Sequence, residues 1–146
     1  AALHAASLSG TGRSIGSMLE RSRTTMEHLV QAYGMEHRCR SIRMTDIPVL
    51  GLEEEGSNAQ ARVIEACRQA IEEDHADCVL LGCGGMSDLM KRVSAEIGAP
   101  AIDGVSAGVK LVEALVGLGL GTAKRQGYAR PLVKEYTGAL AGFAPI

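Results

Sequence analysis

Apolar residues along this chain alternate between two spacings. Short runs of strand character are separated by stretches in which apolar side chains recur at helical spacing. That alternation predicts an α/β fold, a three-layer lobe on a mostly parallel sheet. The opening "AALHAASL" is Ala-rich and helical in pattern. A first strand is expected over about Arg13 to Leu19, against the local propensity of Gly12, Ser14 and Gly16. A helix follows, with Thr24 and Glu27 at capping-box spacing, Gly34 at its exit, and Met26, Leu29, Val30 and Tyr33 along one face. "CRSIRM" is a second short strand. Ser57 or Asn58 then caps a long helix that runs to His75 as its C-terminal cap. Val63, Ile64, Cys67, Ala70 and Ile71 form its inward face. "DCVLL" is a continuous apolar run of the kind buried on both faces of a sheet. Ser87 to Ile97 is the next helix, closed by Gly98, "APAID" a last strand, and Gly104 to Leu118 another helix. Beyond it lie the Gly-rich loop "GLGLGTAKRQGYARP" and a short final helix over "LVKEYTG".

Composition narrows the core. Of 146 residues 46% are apolar, yet there are one Phe, three Tyr and no Trp, so the core must be aliphatic. That length suffices to bury one domain's core. The formal net charge is −2 with both signs interspersed, which points to no nucleic-acid partner. No apolar run is long enough to span a bilayer, and no basic-then-apolar leader is present, so no membrane partner is expected. The four cysteines, Cys39, Cys67, Cys78 and Cys83, form no CxxC pair, which argues against a zinc ribbon or a thioredoxin site. Reduced thiols and a cytoplasmic location are the expectation. The chain opens without Met inside a helical pattern and reads as a piece of something longer.

One junction carries chemistry. In "DCVLLGCGGMSDLM" a strand runs through glycines into a helix, with Cys83 at the turn. Open parallel sheets bind ligands beyond the carboxyl ends of their strands. Gly84 and Gly85 let backbone approach a ligand and can aim N–H groups into one space. The positive end of the following helix favours a thiolate, drawing Cys83 toward a pKa at which it gives and takes a proton. The alternative is a small apolar residue at a helix start. That reading suits Cys67 on a helix core face, Cys78 inside a strand and Cys39 between arginines. Other thiol and phosphate chemistries find less support. A cysteine–histidine pair through His4, His28, His37 or His75 stays open, although none sits beside a strand-end loop. A Gly-rich phosphate loop is weakly supported. Leu89 stands where a phosphatase loop needs arginine, and "GCGG" lacks the Lys of a P-loop. No HxH or HExxH pair offers a metal site.

"VLLGCGGMSDL", followed by "GAPAIDGVSAGVKLVEALVGLGLGTAKRQGYARP", joins a GCxGM loop to an IDGV segment and a tail with Lys, Gly, Tyr-Ala and Pro. This combination resembles the aspartate/glutamate racemase superfamily, in its hydantoin and allantoin racemase branch. "YGMEHRCRSIRMTDIPVL" looks like the middle of those enzymes. Amino-acid racemase branches usually have Thr-His after this cysteine. Gly84 and Gly85 stand there instead, which argues against aspartate or glutamate as substrate.

The resemblance implies two similar α/β lobes, a cleft between them, no cofactor, a hydantoin-type small molecule as substrate and a homo-oligomer. Each lobe gives one cysteine to the acid/base pair. By this match residues 1–103 are the second lobe, with Cys83 catalytic, and residues 104–146 return to a first lobe outside this chain. The partner cysteine would lie there too, so the chain alone is expected to be inactive. Gly82, Gly84, Gly85 and Met86 form the substrate-binding loop, and Ser17 and Met18 are candidates to present a hydroxyl and backbone donors. Asp103 is expected to cap the next helix. Arg43, Lys124 and Tyr128 sit at family positions but are assigned structural roles. Three other readings compete: an allantoin racemase, a single-cysteine decarboxylase of the same fold, and a non-catalytic ligand-binding module.

Overall fold

The computed structural model describes residues 1–52, 54, 57–132 and 134–144. Strands Arg13–Ser17 (β1), Cys39–Met44 (β2), Cys78–Leu81 (β3) and Ala101–Asp103 (β4) form one parallel sheet in the order β2-β1-β3-β4. The helices are Ala2–Ser9 (α1), Arg23–Ala32 (α2), Ala59–Glu72 (α3), Met90–Ile97 (α4) and Gly104–Gly117 (α5). The expected α/β class and the order of elements hold. The chain divides into two compact units, Ala1–Glu113 and Ala114–Ile146.

The first unit has a core on each face of the sheet. Along β3 alternate side chains point to opposite faces. Val79 and Leu81 join Val63, Ile64 and Cys67 of α3 and Val93 of α4. Cys78 and Leu80 join Ala6 of α1 and Val30 of α2. A strand covered on both sides has no polar face to offer, hence the unbroken run "CVLL".

β1 forms against its propensity because its neighbours need small or polar residues there. A Cβ at Gly16 would stand 3.1 Å from Cys67 Sγ. The Ser41 hydroxyl of β2 lies 2.8 Å from Ser14 Oγ and 2.5 Å from Asp74 Oδ2. Asp77 accepts bonds from the Thr11 N–H, the Thr11 hydroxyl and the Gly12 N–H, at 2.7, 2.8 and 3.1 Å, and so clips the entry to the strand. Arg13 is the exception. It is fully buried, and among the described residues its guanidinium has one polar contact, Nη1 to Met35 Sδ at 3.3 Å, with no partner for Nε and Nη2.

Helix ends depart from the sequence reading in several places. α2 begins at Arg23 with Ser22 as N-cap, so Thr24 lies inside the helix and the expected capping box does not form. The Ser22 hydroxyl donates to Leu19 O, and Arg23 pairs with Glu20, which fixes the entry from the preceding turn instead. The exit is as expected: Gly34 takes φ 63°, and the N–H groups of Gly34 and Met35 close on Gln31 O and Val30 O. Leu29 and Tyr33 remain about half exposed on the face expected to be apolar. Asn58 stands at the N-cap of α3 but makes no side-chain cap bond, and Ser57 donates to Gly51 O. His75, at φ 55°, makes the left-handed turn after that helix. α4 starts at Met90 rather than Ser87, because Gly84–Leu89 winds as a tighter 3-10 turn.

The second unit, from Ala114, holds the end of α5 and two 3-10 turns, Gln126–Tyr128 and Gly138–Phe143. The helix expected over "LVKEYTG" is not formed at its described residues; Val133 lies outside them. A segment this short needs a packed face to stay helical. Among the described residues here Leu132 is 86% exposed and Tyr136 is exposed as well, so these two bury no such face.

Candidate functional site

The chain leaves β1 toward α2 on one face of the sheet and leaves β3 toward α4 on the other. These neighbouring strands therefore part at their carboxyl ends, and a topological switch point opens a crevice there. A cavity of about 290 Å³ occupies it. Its walls include Ser17, Met18 and Leu19 after β1, Gly82 and Cys83 after β3, and Val49 from the loop after β2.

Cys83 stands at the turn in extended conformation, φ −138° and ψ 137°, and is partly exposed while packing against the core. The backbone on its amino side is fixed, since Gly82 N–H donates to Gly16 O at 2.8 Å. A Cβ at Gly82 would lie 2.8 Å from Ser17 Oγ and 3.1 Å from Met26 Cε, so glycine is required for the two strand ends to approach. Gly84 and Gly85, both exposed, open the 3-10 turn. Its first bond is made by Met86 N–H to Cys83 O at 3.0 Å. Met86 thus departs from the expectation of a substrate-facing donor: its N–H is used, and its side chain is fully buried in the core.

Ser17 and Met18 both border the cavity and are both 2% exposed. Thr45 N–H and hydroxyl donate to Ser17 O, and Asp46 N–H to Met18 O, so this loop is held in place from β2. Leu19, Arg21, Ser22, Met26 and Val49 also line the cavity and were not singled out from sequence. Their common signal is position, each lying within a few residues of a strand end or a helix start.

The remaining cysteines sit in different surroundings. Burial pushes the Cys67 thiol up to about 12, and burial with the nearby Asp77 carboxylate pushes Cys78 up to about 11. Burial also raises Cys39, partly opposed by Arg13. All three are placed to pack. Asp103 does cap α5, its Oδ1 accepting from the N–H groups of Val105 and Ser106 at 2.9 and 2.8 Å. Arg43 grips Asp74, Glu73 and Gln69, a structural role. Lys124 and Tyr128 are exposed. Among the described residues no three His, Cys, Asp or Glu gather as a metal site, and no helix is long and apolar enough to cross a membrane.

A parallel α/β sheet with a partly exposed thiol at its switch point places the chain in the class of open α/β proteins. Within that class the chain belongs to the Asp/Glu/Hydantoin racemase family, which residues 1–112 match. It is 40% identical over 141 residues to a hydantoin racemase of Pseudomonas sp. (strain NS671), covering 97% of this chain and 57% of that protein. It is 43% identical over 125 residues to a hydantoin racemase of Rhizobium meliloti, covering 86% and 52%. An allantoin racemase from Klebsiella pneumoniae superposes with a TM-score of 0.89 at 40% identity, covering 99% of this chain and 59% of that one. The chain thus spans little more than half the length of the relatives it matches.

Proposed function

We propose that this chain is the second lobe of a cofactor-independent racemase of 5-substituted hydantoins, and that Cys83 is one of its two acid/base groups. The observation that carries this reading is the position of Cys83, partly exposed on a cavity at the switch point and followed by Gly84 and Gly85, which are exposed but stand outside the lining of that cavity. Racemisation breaks a C–H bond on one face of a carbon and remakes it on the other. In a hydantoin the carbonyl beside C5 acidifies that hydrogen and takes up the charge as an enolate. The Cys83 thiolate removes the C5 proton and becomes a thiol. A second thiol delivers a proton to the opposite face and becomes a thiolate. The reverse direction exchanges these roles, so atoms and charge balance over a cycle. The Gly84 and Gly85 N–H groups are assigned as donors to the enolate oxygen, since the Met86 N–H already donates to Cys83 O.

Cys39, Cys67 and Cys78 do not line the cavity, so the second thiol is assigned to polypeptide beyond this chain. On the same reading residues 104–146 return to that first lobe. The face of α5 carrying Val105, Val109 and Val112, each more than half exposed, supports this assignment. The test is hydrogen–deuterium exchange at C5 of 5-substituted hydantoins in D₂O, followed alongside loss of optical rotation. The protein joined to its missing half should catalyse both, and Cys83→Ser should lower both rates by about 10²–10⁴-fold. The present chain alone should do neither. Unchanged exchange in Cys83→Ser would sink the assignment.

A further inference from the structure

Among the residues that line the cavity at Cys83, Arg21 is the one that carries a fixed charge. Ser17 and Ser22 bring hydroxyls, and the rest of the lining besides Cys83 is apolar or glycine. The backbone beneath Arg21 is held on both sides. Glu20 N–H donates to Asp46 Oδ1 at 2.9 Å, and the Ser22 N–H and hydroxyl both donate to Leu19 O, at 2.9 and 2.7 Å. The charges next to it in sequence are engaged elsewhere. Glu20 pairs with Arg23, whose Nη1 also reaches Ile42 O at 2.6 Å. Among the described residues Arg21 itself makes no ion pair. A pinned turn thus presents an unengaged guanidinium to the space that Cys83 borders.

The chemistry assigned to the site calls for such a group. Deprotonating a carbon beside a carbonyl puts a full negative charge on the ring, close to a sulfur that is itself negative in part of the cycle. Walls of hydroxyl, methyl and methylene groups meet that charge poorly. A prepositioned cation lowers its cost most where water is scarce. Arginine suits the task because it stays protonated throughout and offers five N–H donors in one plane. It therefore moves no proton, and the balance between the two thiols is unchanged. Gly84 and Gly85 stand outside the cavity lining, whereas Arg21 is on it. Resting on the racemase reading above, we propose that Arg21 is a further catalytic residue, which touches the ring and carries the negative charge of its enolate. The cavity is thereby selective for ligands that are, or become, anionic beside Cys83.

The first test alkylates Cys83 in the 146-residue chain with iodoacetate and with iodoacetamide. Both lose iodide to the same thiolate, and only the first is an anion. Their rate ratio therefore isolates charge in the cavity from access and thiol ionisation. Mass spectrometry of the Cys83 peptide gives the rates. Arg21→Gln should lower the iodoacetate to iodoacetamide ratio by about threefold or more. Arg21→Lys should keep most of it, and Arg38→Gln, at an exposed arginine on another turn, should leave it unchanged. Added salt, from about 0.05 to about 1 M, should lower the ratio in the unaltered chain. The net charge of −2 alone would do the opposite. An unchanged ratio in Arg21→Gln, or one that rises with salt, overturns the proposal. In the protein joined to its other half, Arg21→Gln should lower kcat for C5 exchange by about 10²-fold or more, with KM within about threefold. Free guanidinium should restore part of that rate. A loss in KM alone, or no loss, overturns the proposal and leaves the racemase reading standing. Absence of exchange in the unaltered joined protein sinks the racemase reading, while the alkylation ratio still decides whether Arg21 serves an anion at Cys83.

Discussion

Cys83 and the other thiols differ in what surrounds the sulfur. Cys67 and Cys78 are fully buried, and burial holds them protonated, up to about 12 and about 11. Cys83 is partly exposed on a cavity. Since only a thiolate that a reagent can reach reacts, a disulfide reagent at pH 8 should label Cys83 well before Cys67 or Cys78 in the folded chain. Mass spectrometry of the labelled peptides reads the order, and early labelling of Cys67 would contradict the packing described. Arg13 supplies a second prediction. Among the described residues its guanidinium is buried without a charged partner, and burying a charge in that way is costly. Arg13→Leu should therefore stabilise the chain, on the order of 1–4 kcal/mol, seen as a higher urea midpoint. Cys83 was legible in the sequence because glycines and a strand flank it. Arg13 was not, because an arginine in a strand pattern looks solvated until its neighbours are known.

Elements were legible where one neighbour on each side decided them. "CVLL" and the inward face of α3 read correctly because two-sided and one-sided burial leave different patterns. β1 was harder, since the reasons for Gly16 and Ser14 lie in α3 and β2, far away in sequence. The caps divide in the same way. Asp103 was legible from its place between a strand and a helix. The Thr24 and Glu27 pair was misleading, because the preceding turn and the Arg23–Glu20 pair set the start of α2. For α5 the cap is predicted to matter. Asp103→Ala removes both N–H bonds and should cost about 1 kcal/mol, with a range of about 0.5–2, measured by urea unfolding. A loss within error would show that the start of α5 is held by something else.

For the whole molecule, ionisation sets the range of pH in which the fold is stable. Arg43 holds Asp74 below the usual carboxylate range. At Asp77 and Asp103 burial pushes upward, but hydrogen bonds from Thr11 and Gly12, and from Ser106 and Val105, outweigh it and hold both below that range. Stability from these three groups is complete above the unfolded value of about 3.9 and is lost as the pH falls through their folded values. The thiols act in the other direction. Their contribution is complete below the unfolded value of about 8.5 and is lost as the pH rises toward 11 and 12. The urea midpoint should therefore be flat from about pH 5 to 8 and fall on both sides. A midpoint that rose between pH 9 and 11 would contradict the burial of Cys67 and Cys78. The bond from Gly82 to Gly16 has a consequence of another kind, for motion. On its amino side Cys83 is tied to the centre of the sheet and can move only if the ladder opens. On its carboxyl side two exposed glycines intervene before the turn is buried again at Met86. Any adjustment of the sulfur to a ligand must then come from the Gly84–Gly85 side, a swing about one fixed flank.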